Sequence, residues 1–183
     1  MIITTLRGIR AAHPCKSGWD WLLRSLGKTT ADDEPLSLEA VLDSNGVNDA
    51  IWCLRTVEGV DRQARLFAVA CARRVQHLMT DERSLDALEV AERYAMGGAS
   101  DDELAAARAA AAGATYAAFD FAVADDGVAA YVAALAAIFA ADAVVAAAYV
   151  AALAADAVTH AGDERAWQAD EFRRLCRREG RYA

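Results

Sequence analysis

Residues 61–96 read DRQARLFAVACARRVQHLMTDERSLDALEVAERYAM, and the periodicity of this stretch decides the fold. Helical residues advance about 100° each, so apolar positions three and four apart gather on one face. Phe67, Cys71, Val75 and Leu78 form such a stripe, with Leu66 and Ala70 beside it. Beyond a short turn around 80–83, with Thr80 as the expected cap, Leu85, Leu88, Ala95 and Met96 form a second. Two helices joined by so short a turn are antiparallel neighbours. Each stripe holds one charge, Arg74 in the first and Glu92 in the second. An unpaired charge at such a contact is very unfavourable. Arg74 is therefore expected to meet Glu92, or nearby Glu89, as a partly buried ion pair that fixes the register.

Working outward, a short helix is expected near 19–26, ended by Gly27, and the polar run KTTADDEP at 28–35 reads as a loop. Ser37 caps LSLEAVLDS, which closes at Asn45 and Gly46, and Asn48 is the expected cap of VNDAIWCLRTV. Ser100 followed by Glu103 is a capping box, opening a helix that runs through alanine-rich sequence to about Asp125. Asp126 and Gly127 make a turn, two Ala/Val helices follow near 128–141 and 143–160, and a last helix spans about 163–178. That helix carries Trp167, Phe172 and Leu175 on one side. No run alternates apolar and polar residues with β-branched enrichment, so no strand is expected. The fold class is all-α, a compact bundle of antiparallel helical hairpins with about seven or eight helices. Residues 1–35 read as an N-terminal segment with a short helix packed on the domain, and 36–183 as one all-α domain.

Composition narrows the functional classes. The 183 residues are 56% hydrophobic and 25% charged, with two prolines and much alanine, which favours helix. The formal net charge of −8 argues against a general nucleic-acid binder, which shows a basic face. Four scattered cysteines form no CxxC pair, so neither a zinc ribbon nor a dithiol redox site is supported, and Cys53 and Cys71 sit in apolar helical patterns as reduced core thiols. The opening MIITTLRGIR lacks the apolar region of a secretion signal, which points to the cytoplasm. Residues 128–158 are long and apolar enough for a membrane check, but Asp142 and Asp156 interrupt them and no membrane partner is expected.

The remaining polar candidates are few. Asp142, Tyr149, Leu153, Asp156 and His160 share a face if their helix is continuous. Asp156 and His160, one turn apart, are weak metal-ligand candidates, since a site needs three or four ligands and no Glu-x-x-His pair joins them. His13 and Cys15 flank Pro14, too little for a metal and too isolated for a catalytic pair. The tail FRRLCRREGRYA is basic but carries acids among its arginines, as a solvated face or partner contact does. No phosphate loop, nucleophile elbow or HExxH occurs, so no catalytic residue and no cofactor is assigned.

Two stretches carry a likeness. Residues 36–56 read LSLEAVLDSNGVNDAIWCLRT, and residues 64–112 combine CARRV, D-x-R, AERYA, a glycine-rich turn and an alanine-rich helix. With the closing ERAWQADEFRRLC, this pattern resembles a group of immunity proteins associated with bacterial polymorphic toxins and with proteins of high-GC bacteria. The resemblance implies an all-α fold and the binding and neutralising of a toxin, and it supplies no catalytic residues. The expectation is a non-enzymatic cytoplasmic inhibitor, monomer or homodimer, that binds a protein partner through an acidic helical surface. The alternative is a phage- or mobile-element-encoded inhibitor of a defence-complex subunit whose acidic face occupies a nucleic-acid channel. A metal-binding helical protein is the third reading.

Overall fold

Alanine-rich sequence with few breakers turns to helix wherever a cap can start it, and a computed structural model describes the result for residues 1–122 and 161–183. Eight α-helices form among these residues: α1 (Leu6–Ala11), α2 (Lys16–Ser25), α3 (Leu38–Asn45), α4 (Val47–Cys53), α5 (Asp61–Arg74), α6 (Glu82–Ala95), α7 (Asp101–Ala122) and α8 (Ala161–Arg177). The fold is all-α. The expected Asp126–Gly127 turn and the helices at 128–141 and 143–160 lie outside the described residues.

Helix α5 is the axis of the packing. Ala64, Leu66, Phe67, Ala68, Val69, Ala70, Cys71 and Ala72 are all buried, so the helix is covered on every side. Its alanines let neighbouring backbones approach closely, and α6, α8 and the short 3₁₀ turn Gly180–Tyr182 all pack on it. Helix α7 continues the layer on the far side of α6, while α8 also touches α3 and α4. At the centre the rings of Phe67 and Phe172 meet edge to face, with centroids 5.8 Å apart and planes at 84°. Burying side chains of this size contributes about 1.5–3 kcal/mol each.

Local signals explain the helix ends. Ser37 Oγ accepts from the Ala40 N–H at 3.2 Å, capping α3. Ser100 Oγ accepts from the Glu103 N–H at 3.2 Å while the Glu103 carboxylate accepts from the Ser100 N–H at 2.8 Å, a reciprocal box at the start of α7. Helix α6 ends with Gly97 at φ +77°. There the Gly98 N–H donates to the Arg93 carbonyl at 2.7 Å and the Gly97 N–H to the Tyr94 carbonyl at 3.0 Å, a Schellman closure.

Four local expectations are corrected. Helix α6 is capped by Asp81, whose carboxylate accepts from the Arg83 N–H at 2.9 Å, and not by Thr80. Helix α4 begins at Val47, directly after Gly46 at φ +87°, so Asn48 lies exposed in its first turn instead of capping it. Helix α1 was not foreseen; Thr5 caps it by accepting from the Gly8 N–H at 3.0 Å. A two-residue strand, β1 (Ile3–Thr4), pairs antiparallel with β2 (Leu36–Ser37), placing Ile3 opposite Ser37. Strands this short show no alternation, so the pairing has no signature of its own.

The N-terminal residues share the core. Ile2, Leu6, Ile9, Trp19 and Leu22 are buried in one cluster with Phe67 and Phe172. The Ile2 N–H donates to the Cys176 carbonyl at 3.1 Å, tying β1 to the end of α8. Among the described residues no helix is long and apolar enough to cross a membrane.

Candidate functional site

Helices α5 and α6 are neighbours, but the charges on them choose other partners. Glu92 meets Arg73, whose Nε lies 3.1 Å from Oε2, and both side chains are about a third exposed. Arg74 instead donates through Nε to Glu164 Oε2 on α8 at 2.9 Å, with its guanidinium 4.7 Å from the centre of the Trp167 ring. The register of α6 explains the difference. Its buried face is Ser84, Ala87, Leu88, Ala91 and Ala95, which turns Leu85 and Met96 outward at 40% and 62% exposure. Glu89 faces solvent. Arg73 and Arg74 point about 100° apart, so two acids on two different helices serve them.

The second partner belongs to a feature that periodicity could have shown and that the apolar residues of α8 obscured. Glu164, Gln168, Glu171 and Leu175 follow i, i+4, i+7 and i+11, a core-facing stripe in which three of four members are polar. Glu164 is 3% exposed and Glu171 4%. Glu171 accepts from the Tyr182 hydroxyl at 2.8 Å and from Arg174 Nη1 at 3.2 Å, with Arg181 Nε at 3.7 Å. Burial, and then the nearby Glu171 charge, holds the Tyr182 phenol well above its usual range. The Cys71 thiol is likewise pushed far up, by burial first and then by the charges of Glu164 and Glu171. Burial raises Cys53 and Cys176 to about 12. Thiols held this strongly neutral are poor nucleophiles. All four cysteines are free, and Cys15 is the exposed one.

Four of the tail's arginines, Arg173, Arg174, Arg177 and Arg181, face acids of the same chain. Arg173 contacts Asp43 and Asp170 at 3.0 Å each, and Arg177 grips Glu39 of α3 through Nε at 3.1 Å and Nη2 at 2.9 Å. Phe172, Leu175, Cys176 and Tyr182 of the same tail are buried, so this segment is a structural closure. His13 sits at φ +57° in the turn before α2 and no metal-binding group forms around it; among the described residues no three His, Cys, Asp or Glu side chains are placed to hold an ion. Asp142, Tyr149, Leu153, Asp156 and His160 lie outside the described residues.

Among the described residues, a group of acids on α6 and α7 is open to solvent. Glu82, Asp86 and Glu89 follow i, i+4 and i+7 along the outer side of α6, with exposed Leu85 among them. Asp101 and Asp102 stand exposed in the first turn of α7, where carboxylates suit the helix dipole. Where the two helices meet, Arg93 Nη2 lies 3.3 Å from Glu103 Oε1. The Glu103 carboxyl is held below its ordinary value by the Ser100 backbone and hydroxyl and then by Arg93. This face carries negative charge around the exposed side chain of Leu85. Comparison with protein-family models, with curated proteins and with solved structures finds no match for the chain.

Proposed function

We propose that the chain is a non-enzymatic inhibitor, acting in the cytoplasm, that binds and neutralises a basic protein partner, a toxin in the sense implied by the resemblance of residues 36–56 and 64–112 to immunity proteins. The observation that carries this reading is the outward side of α6, where Glu82, Asp86 and Glu89 surround exposed Leu85. A small apolar centre ringed by charge is how protein interfaces are organised, and a negative patch speeds encounter with a positive one. Arg73, Arg74, Arg93, Arg173, Arg174 and Arg177 are paired with acids of the same chain other than Glu82, Asp86 and Glu89.

The test is co-expression with the product of the neighbouring gene. Rescue of growth and a co-purifying complex are expected for the natural chain, and loss of both for the triple variant Glu82→Lys, Asp86→Lys, Glu89→Lys. No rescue and no complex with the natural chain would remove the reading. The clustering of those three carboxylates on one helix face also suits the second reading, an anti-defence protein whose acids occupy a nucleic-acid channel. A phage operon around the gene, with competition by DNA or RNA for the bound complex, would select it.

A further inference from the structure

A cleft of about 150 Å³ opens between the α1–α2 turn and helices α2, α3 and α4, none of which contributes to the acidic side of α6. Its walls are apolar, with Trp19, Leu22, Val41 and Trp52 among them, and one charged side chain, Asp49, reaches it. The carboxylate is positioned with care. Asn45 Nδ2 donates to Asp49 Oδ2 at 2.9 Å and to the Gly18 carbonyl, also at 2.9 Å, so the acid is tied to the backbone of α2. Gly18 leaves it room: a Cβ there would stand 2.7 Å from Asp49 Oδ2 and 3.2 Å from Cys15 Sγ. Glycine within a helix costs about 1 kcal/mol against alanine, and here the close approach of Asp49 and Cys15 is what leaves no room for a side chain.

We infer that this cleft is a binding site for an organic ammonium group with a small apolar body, carried on a free amine or at the end of a lysine side chain. An ionised carboxylate only accepts hydrogen bonds, so the guest must donate to it. In a largely apolar recess the donor that best offsets a carboxylate is a cation. Two indoles, those of Trp19 and Trp52, stand in the same wall as apolar surface for the body of the guest. Arg10 and Arg55 lie over Trp19 and Trp52, at 5.5 and 4.3 Å from the ring centres, and neither lines the cleft. A cavity of about 150 Å³ admits a benzene-sized body, which sets the scale of the guest.

Cys15 supplies the readout, because it lines the cleft and is exposed while the other three cysteines are buried. The full chain is alkylated with iodoacetamide at fixed pH in the presence of benzylammonium, of its neutral counterpart benzyl alcohol, or of Nα-acetyl-lysine amide. Benzylammonium at saturation is expected to slow labelling about tenfold, and Asp49→Asn to weaken its binding about tenfold, the worth of one charge-assisted hydrogen bond. Gly18→Ala, which keeps the helix and fills the space above the acid, is expected to abolish protection while circular dichroism stays unchanged. Protection by benzylammonium alone assigns the guest to free amines, and equal protection by the lysine amide assigns it to protein side chains. Equal protection by benzyl alcohol, undiminished protection in Asp49→Asn, or no protection by either amine would overturn the inference.

Discussion

Helices α6 and α8 carry carboxylates at the same helical spacing and use them in opposite ways. On α8, Glu164 and Glu171 face the core and are sealed under Arg74, Tyr182 and Arg174. On α6, Glu82, Asp86 and Glu89 face water. A buried charge must be paired, so Glu164 ties α8 to α5 across 90 residues and Glu171 closes the C-terminal turn onto α8, at some cost in desolvation. An exposed charge contributes almost nothing to stability and remains available to another molecule. Acid content alone therefore says little about function; the side of the helix decides.

The sharpest way to break the comparison is to empty the core under α8. Phe172 is fully buried against Phe67, and Phe172→Ala should lower stability by about 3–5 kcal/mol. A chemical denaturation midpoint unchanged from the natural chain would show that α8 is not part of the cooperative core.

The two adjacent arginines offer a finer contrast. Arg74→Ala strands the Glu164 carboxylate in the interior and should cost about 2–3 kcal/mol, somewhat below a fully buried pair because the guanidinium itself is 45% exposed. Arg73→Ala breaks a pair exposed on both sides and should cost about 1 kcal/mol or less. Replacing both partners, Arg74→Met with Glu164→Leu, should recover most of the loss, since no buried charge is then left alone. Equal costs for the two single variants, read from urea unfolding, would erase the distinction drawn between the faces.

How far these faces were legible in the sequence depends on the range of the signal. Caps are local, and Ser37 and the Ser100–Glu103 box could be read because each rests on residues three apart. The course of α5 was legible from Phe67, Cys71 and Val75. The partner of Arg74 was not, because Glu164 is 90 residues away and nothing local announces which helices cross. The stripe on α6 was legible at Leu88 and Ala95 but not at its edges: alanines at 87 and 91 are weakly apolar, so Leu85 and Met96 outweighed them although the tight α5–α6–α7 contact prefers the smaller side chains. Helix α1, six residues long, is below the length at which a period can be seen. The cleft beside Asp49 was invisible for the same reason as the Arg74 pair, because four separate elements build it.

The interior also predicts a response to alkali. Cys53, Cys71 and Cys176 have folded-state values raised above the ordinary thiol value of 9.0, two of them to about 12. A raised value in the folded state means the stabilisation is complete below pH 9 and is lost as pH rises through about 12. Over that window each thiol should remove about 1.4 kcal/mol per pH unit, because the unfolded chain releases a proton that the folded one keeps. Thermal unfolding between pH 8 and 11 would measure this, and Cys71→Ala should make the decline shallower. A flat profile would mean that these thiols are already solvated in the folded chain.

The smallest effect on stability should come from the acidic side of α6, and there the comparison is most exposed to failure. Each of Glu82→Lys, Asp86→Lys and Glu89→Lys replaces a solvated group by another, so the expected change is within about 0.5 kcal/mol. The effect on association should be far larger and should depend on salt, because a screened patch steers a basic partner only at low ionic strength. Surface-binding kinetics at 50 and 300 mM salt would separate the contributions: the variants should slow association while leaving the melting temperature where it was. If they instead melt early, the α6 acids belong with those of α8 as parts of the packing, and the outward face loses its claim to recognition.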